Sequence, residues 1–150
     1  MIEGVLVKKL IVHPDDRGQL FEIWRADDRG FSGFGQVYVT TARPGIIKGW
    51  HYHKRQTDCF TVVCGRALFA LYDARENSPT HRELQIFHIT EDERIAVVIP
   101  PGVYHGFKNT GKEDVWCLNC PNRTYNAADP DEYRVDPFDA SIGFDWMIPS

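Results

Sequence analysis

The stretch Gly45-Ile-Ile-Lys48-Gly-Trp-His51-Tyr-His53-Lys-Arg-Gln-Thr-Asp58 decides how this chain is read. In an extended strand successive side chains alternate between faces, so His51 and His53 share one face and Tyr52 takes the other. A third imidazole follows in Pro100-Pro101-Gly102-Val103-Tyr104-His105, where a turn enters a second candidate strand and residues 97–99 before it read as buried strand. Working outward, residues 4–12, 20–24, 36–41, 59–65, 67–72, 82–89, 95–99 and 115–119 are strand-like, with turn chemistry at 13–18, at Gly65-Arg66 and at 91–94. About ten strands at this spacing predict an all-β sandwich or barrel of the jelly-roll kind.

At 150 residues the chain is expected to form one domain, 1–150, with a polar segment from about residue 121 that reads as a short helix or an ordered tail. A formal net charge of -4 argues against a nucleic-acid partner, because phosphate-backbone affinity needs clustered Lys and Arg. Arg17, Arg25, Lys48, Lys54 and Arg55 still leave room for a small anionic ligand. No apolar run approaches the roughly 20 residues a bilayer demands, and the N-terminus lacks signal-peptide character, so no membrane partner is expected and the cytoplasm is the expected compartment. Cys117 and Cys120 form a CxxC within strand-like sequence, where positions three apart face opposite sides and do not share a metal. They read as ordinary cysteines, as do Cys59 and Cys64. His13, His81 and His88 read as surface or packing residues, and Trp24, Trp50, Trp116 and Trp146 as core.

Two sets of spacings carry a resemblance. Gly45-x5-His51-x-His53-x4-Asp58-x6-Gly65 resembles the first cupin motif, with Asp58 in place of Glu, and Pro100-x-Gly102-x2-His105-x3-Asn109 resembles the second, with Arg94 where a glycine is usual. Across more of the chain, Asp15-Asp-Arg17-Gly18-Gln-Leu-Phe-Glu22, Lys48-Gly-Trp-His51-Tyr, Asp73-Ala-Arg75 with Ser78-Pro-Thr80, His105-Gly-Phe and Ser141-Ile-Gly-Phe-Asp-Trp146 resemble the dTDP-4-dehydrorhamnose 3,5-epimerase family. The resemblance implies a cupin double-stranded β-helix (jelly roll), a homodimer, a nucleotide-sugar partner and no metal. It implies proton removal alpha to the ketone of a nucleotide-linked 4-keto-6-deoxyhexose, with His51 as base and His105 beside it. Arg17, Glu22, Gln36, Lys48 and Tyr38 fall at its substrate-binding positions.

The departures from that pattern are specific. Asp58 stands where the family has a lysine that stabilises the enolate, and Leu118 or Asn119 where it has a proton-returning tyrosine. Lys48 replaces an arginine and Tyr38 an asparagine. The family orients its base with an aspartate from a tail beyond the Trp146 position. A carboxylate at 58 would repel a forming enolate, whereas His51, His53, Asp58 and His105 together make a ligand set for one divalent transition metal, Zn, Mn, Fe or Ni. On that reading Asp58 and His105 belong to the catalytic apparatus beside His51. Two rival functions follow from the same residues, a metal-dependent cupin enzyme (dioxygenase or sugar isomerase) and a catalytically silent sugar-binding cupin.

Overall fold

A computed structural model describes residues 1–148. Among the described residues twelve strands form and there is no helix. Ten of the strands make two five-stranded antiparallel sheets. The first has the order β1 (Leu6–Lys9), β9 (Ile95–Ile99), β6 (Asp58–Cys64), β11 (Val115–Asn119), β4 (Tyr38–Ala42). The second has the order β12 (Tyr133–Arg134), β5 (Ile47–Tyr52), β10 (Val103–Asn109), β7 (Arg66–Asp73), β8 (Leu84–Thr90). Sheet neighbours are rarely chain neighbours, the interleaving of a jelly roll, and the architecture is the cupin double-stranded β-helix that the spacings imply.

The remaining pair, β2 (Val12–Asp15) and β3 (Gly18–Phe21), is a hairpin hydrogen-bonded to neither sheet. Residues 13–15, expected as turn, are strand here. Pro14 is tolerated because a two-stranded ribbon has an open edge where a missing N–H breaks no ladder. Among its described residues the polar segment after 121 forms no helix; it contributes the two-residue β12 and then wraps the second sheet.

The two inner faces meet in one core. Phe60 and Val62 of β6, Val97 and Ile99 of β9 and Val115 of β11 pack on Phe69 and Leu71 of β7 and Phe107 of β10. The Phe60 and Phe69 rings stack across the sheets at 4.6 Å. β7 alternates in sequence no better than a helix would, because both its faces are covered: Ala67, Phe69 and Leu71 look into the sandwich, and Leu68, Ala70 and Tyr72 meet Trp50, Ile142 and Trp146 on the outside. A strand buried on both faces has no polar side to show, hence its unbroken apolar run.

β5 and β10 approach each other unusually closely. A Cβ on Gly49 would lie 3.0 Å from the Cα of Gly106, and one on Gly106 would lie 2.8 Å from the Cα of Gly49. The register slips between His105 and Phe107 at the same place. The two glycines therefore let the histidine strands touch backbone to backbone, and Trp146 seals them from outside.

Candidate active site

Between the two sheets, a cavity of about 530 Å³ is lined by His51, His53 and His105 from the second sheet and its loop, and by Tyr38, Thr40 and Asn119 from the first. His51 and His105 are cross-strand partners, rings stacked at 6.3 Å. His53 lies just beyond β5 yet turns to the same cavity, as alternation required, while Tyr52 stacks outward on Tyr104 and Tyr133.

His53, Asp58 and His105 place their ligand atoms within 4.8 Å of one another. Asp58 is buried at the start of β6, with Oδ1 accepting from Gln56 Nε2 at 2.8 Å and from Asn119 Nδ2 at 2.9 Å. Its Oδ2 accepts no hydrogen bond, yet faces His53 Nε2 at 3.2 Å and His105 Nε2 at 3.5 Å. Both rings use Nδ1 on a backbone carbonyl, His53 on Asp131 and His105 on Val103 at 3.3 Å. With the ring N–H on Nδ1, each neutral imidazole aims a lone pair at the orphaned oxygen, an arrangement that calls for a cation between them.

The electrostatics agree. Burial pushes His105 down to about 4, so it stays neutral at physiological pH. Burial opposes charge on His53 as well, but its contact with Asp58 prevails and raises it. Asp58 would be raised by burial alone, but its contact with His53, the neighbouring His105 and the hydrogen bond from Asn119 hold it below the ordinary carboxylate range. A proton on His53 is one cation that can fill the gap, and a divalent metal on all three donors is another.

His51 departs from the expected four-ligand set. Its ligand atoms are not part of the cluster, and its Nδ1 lies 3.6 Å from Glu132 Oε1 instead. The reason is the added strand β12, whose Arg134 pairs with His51 and brings Glu132 over the ring. Burial is the main effect depressing the His51 pKa, so the imidazole is neutral at physiological pH and able to accept a proton. Glu132 thus stands beside the ring that the resemblance makes the base; Asp131-Glu132 reads in sequence as part of a polar segment, and only the pairing of β12 with β5 brings it there.

The other expected binding residues divide. Lys48 and Tyr38 line the cavity, Lys48 Nζ donating to Thr40 Oγ1 at 2.8 Å. Gln36 lines an adjoining cavity of about 550 Å³ that shares Tyr38, His53 and Glu132 with the first. Arg17 and Glu22 line neither: Arg17 pairs with Asp15 on the hairpin tip at 2.6 Å, and Glu22 with Arg25 at 3.0 Å. Cys117 is buried and Cys120 only half-buried, and all four cysteines are free. Trp116, expected in the core, is half exposed on the outer face of β11.

Residues 13–133 match the family described as "Polysaccharide biosynthesis C-terminal domain". The chain is 40% identical over 97% of its length to the spore coat polysaccharide biosynthesis protein SpsL of Bacillus subtilis, covering 97% of that protein as well. It is 26% identical over 91% of its length to the dTDP-4-dehydrorhamnose 3,5-epimerase of Mycobacterium tuberculosis, covering 70% of that chain. Among solved structures, a dTDP sugar isomerase from Desulfovibrio desulfuricans superposes with a TM-score of 0.90 at 30% identity, with 97% of this chain and 92% of that one covered. The interleaved sheets, the paired histidine strands and these likenesses together make the chain a member of the polysaccharide biosynthesis C-terminal domain family and a divergent member of the dTDP-4-dehydrorhamnose 3,5-epimerases.

Proposed function

We propose that the protein is an epimerase of a nucleotide-linked 4-keto-6-deoxyhexose that removes a proton alpha to the ketone. The observation behind this is His51: neutral through burial, on the cavity wall, its Nδ1 toward Glu132 and its Nε2 left for substrate. A base of this kind supplies roughly 10²–10⁴-fold once hydrogen-bonded to the proton it takes. The 3.6 Å to Glu132 is long for a hydrogen bond, as unliganded catalytic contacts often are. As the imidazole becomes imidazolium, Glu132 stabilises the charge. Lys48, in the same cavity, is placed to balance the negative charge that develops on the sugar oxygen.

A divalent transition metal belongs to this reading. His53, Asp58 and His105 would hold it, leaving His51 free, and three protein donors with open positions are the usual form of a catalytic site. A bound metal would polarise a substrate carbonyl as a Lewis acid. The adjoining cavity, with Arg55, Arg123 and the exposed rings of Phe34 and Tyr125, is the place for the nucleotide.

Among the described residues the hairpin β2–β3 joins neither of the two large sheets, and its Arg17 lies away from the cavity. A homodimer in which the hairpin reaches the partner's cavity would bring Arg17 and Glu22 to the ligand, the guanidinium fork suiting a diphosphate. Four free cysteines suit the cytoplasm.

The experiment is NMR in deuterium oxide with dTDP-4-keto-6-deoxyglucose. Deuterium entering the carbons beside the ketone, with a new sugar configuration, supports the reading. Tight binding without any exchange would leave a silent sugar-binding cupin, and exchange only after metal loading would make a metal on His53, Asp58 and His105 part of the epimerase chemistry.

A further inference from the structure

Proton removal by His51 leaves a planar enolate, and inversion requires the new proton to arrive on the other face. The two sheets form opposite walls of the cavity: His51 stands on β5 of one, and Tyr38 on β4 of the other. We propose that Tyr38 is the acid that returns the proton. The assignment rests on the epimerase reading and adds to it the donor that sets the stereochemical result.

The surroundings of the phenol suit that role. Asn119 is its cross-strand partner, and Asn119 Nδ2 donates to Tyr38 Oη at 3.0 Å. The same amide is fixed by two more bonds, Nδ2 to Asp58 Oδ1 at 2.9 Å and Oδ1 from the Cys59 N–H at 3.1 Å. Because Oη accepts from Asn119, its own hydrogen turns elsewhere. When that hydrogen leaves, the amide N–H is already bonded to the oxygen that becomes charged, and hydrogen bonds to ionised acceptors are the stronger kind.

Other candidate donors fail on position or chemistry. Lys48 stands on β5, on the His51 wall, and its Nζ is engaged with Thr40. Thr40 is too weak an acid. Tyr104 stacks on Tyr52 and packs at an angle against Tyr72 on the outer face of the second sheet, and Tyr125 lines only the adjoining cavity.

The step balances. His51 Nε2 takes the alpha hydrogen as a proton, and the C–H electron pair becomes the enolate. The enolate pair then forms a C–H bond on the opposite face with the Tyr38 proton, and the O–H electrons remain on the phenolate. Water afterwards deprotonates the imidazolium and reprotonates the phenolate.

The test separates exchange from inversion. Wild type and Tyr38→Phe are incubated in deuterium oxide with dTDP-4-keto-6-deoxyglucose and with its UDP counterpart, and NMR reads both deuterium content and configuration. Tyr38→Phe is expected to keep deuterium entry within about 3-fold of wild type while inverted product falls about 100-fold or more, the span of one general acid. Inversion at the wild-type rate overturns the proposal, as does equal loss of exchange and inversion, which would make Tyr38 a binding residue. Lys48→Met separating the two readouts instead would make Lys48 the donor and also overturn it. A wild type that exchanges neither probe sinks the epimerase reading and the proposal with it. Should Tyr38→Phe not fold, 3,5-difluorotyrosine at position 38 keeps the shape but makes a stronger acid. The basic limb of inversion then moves to lower pH, and a limb that stays in place refutes the assignment.

Discussion

Glu132 Oε1 lies 3.6 Å from Nδ1 of His51, placed there by the pairing of β12 with β5. Burial is the main influence depressing the His51 pKa below the ordinary 6.5, Arg134 and His53 add to it, and Glu132 partly restores it. The acid limb of kcat/KM, which follows protonation of the free base, should therefore lie below pH 6.5. Glu132→Gln removes the restoring charge, so the limb should move to lower pH still, and the plateau rate should fall about 10–100-fold as ring orientation is lost. A pH–rate profile of the two proteins checks this; a limb moving upward would contradict the arrangement.

His51→Ala should abolish deuterium entry beside the ketone by at least about 100-fold. Its effect on thermal stability should be small, because the ring is partly exposed on the cavity wall and fills no core space. Unchanged exchange in this variant would transfer the base role to another residue.

Metal binding has a readout free of catalysis. If His53, Asp58 and His105 hold a cation, a metal at about 100 times its dissociation constant should stabilise the fold by about 2.7 kcal/mol. Titrating Zn, Mn, Ni or Fe into metal-free protein while following the melting temperature measures it. Asp58→Asn should erase the response and His51→Ala should preserve it. Loss of the response in both variants would restore His51 as a fourth ligand.

Asp73, fully buried, accepts from Arg75 Nε at 2.8 Å, Ser78 Oγ at 2.6 Å and Thr80 Oγ1 at 2.6 Å. Burial would raise this carboxyl, but Arg75 and the two hydroxyls hold it well below its ordinary value. A depressed carboxylate contributes stability that is complete above its unfolded value of roughly 4 and is lost as pH falls toward its native one. Asp73→Asn should thus cost about 3 kcal/mol at pH 7, the order expected for breaking a buried pair. Urea unfolding should show the difference from wild type narrowing below about pH 4; a gap constant with pH would assign the effect to packing rather than charge.

The jelly roll was legible because its strands are short, β-rich and separated by turn residues, and because His51, Asp58 and His105 sit at spacings that few folds reproduce. Alternation alone put His51 and His53 on one side, and the cavity agrees. It could not separate their jobs, since that depends on what each Nδ1 meets: Glu132 for His51, a backbone carbonyl for His53. Glu132 itself was hidden in a polar stretch whose strand is two residues long and exists only through its neighbour. Tyr38 on one hand and Leu118 or Asn119 on the other read in sequence as two separate departures from a pattern. In the fold Tyr38 and Asn119 are cross-strand partners, the amide donating to the phenol.

The close contact of Gly49 with Gly106 leaves a single layer of backbone between the histidine cavity and the indole of Trp146. Trp146 in turn lies 4.9 Å from Trp50, the residue immediately before His51. The protein thus has its own optical reporter: a ligand that shifts the two histidine strands must alter the surroundings of a buried indole pair, so intrinsic fluorescence should follow occupancy without any attached dye.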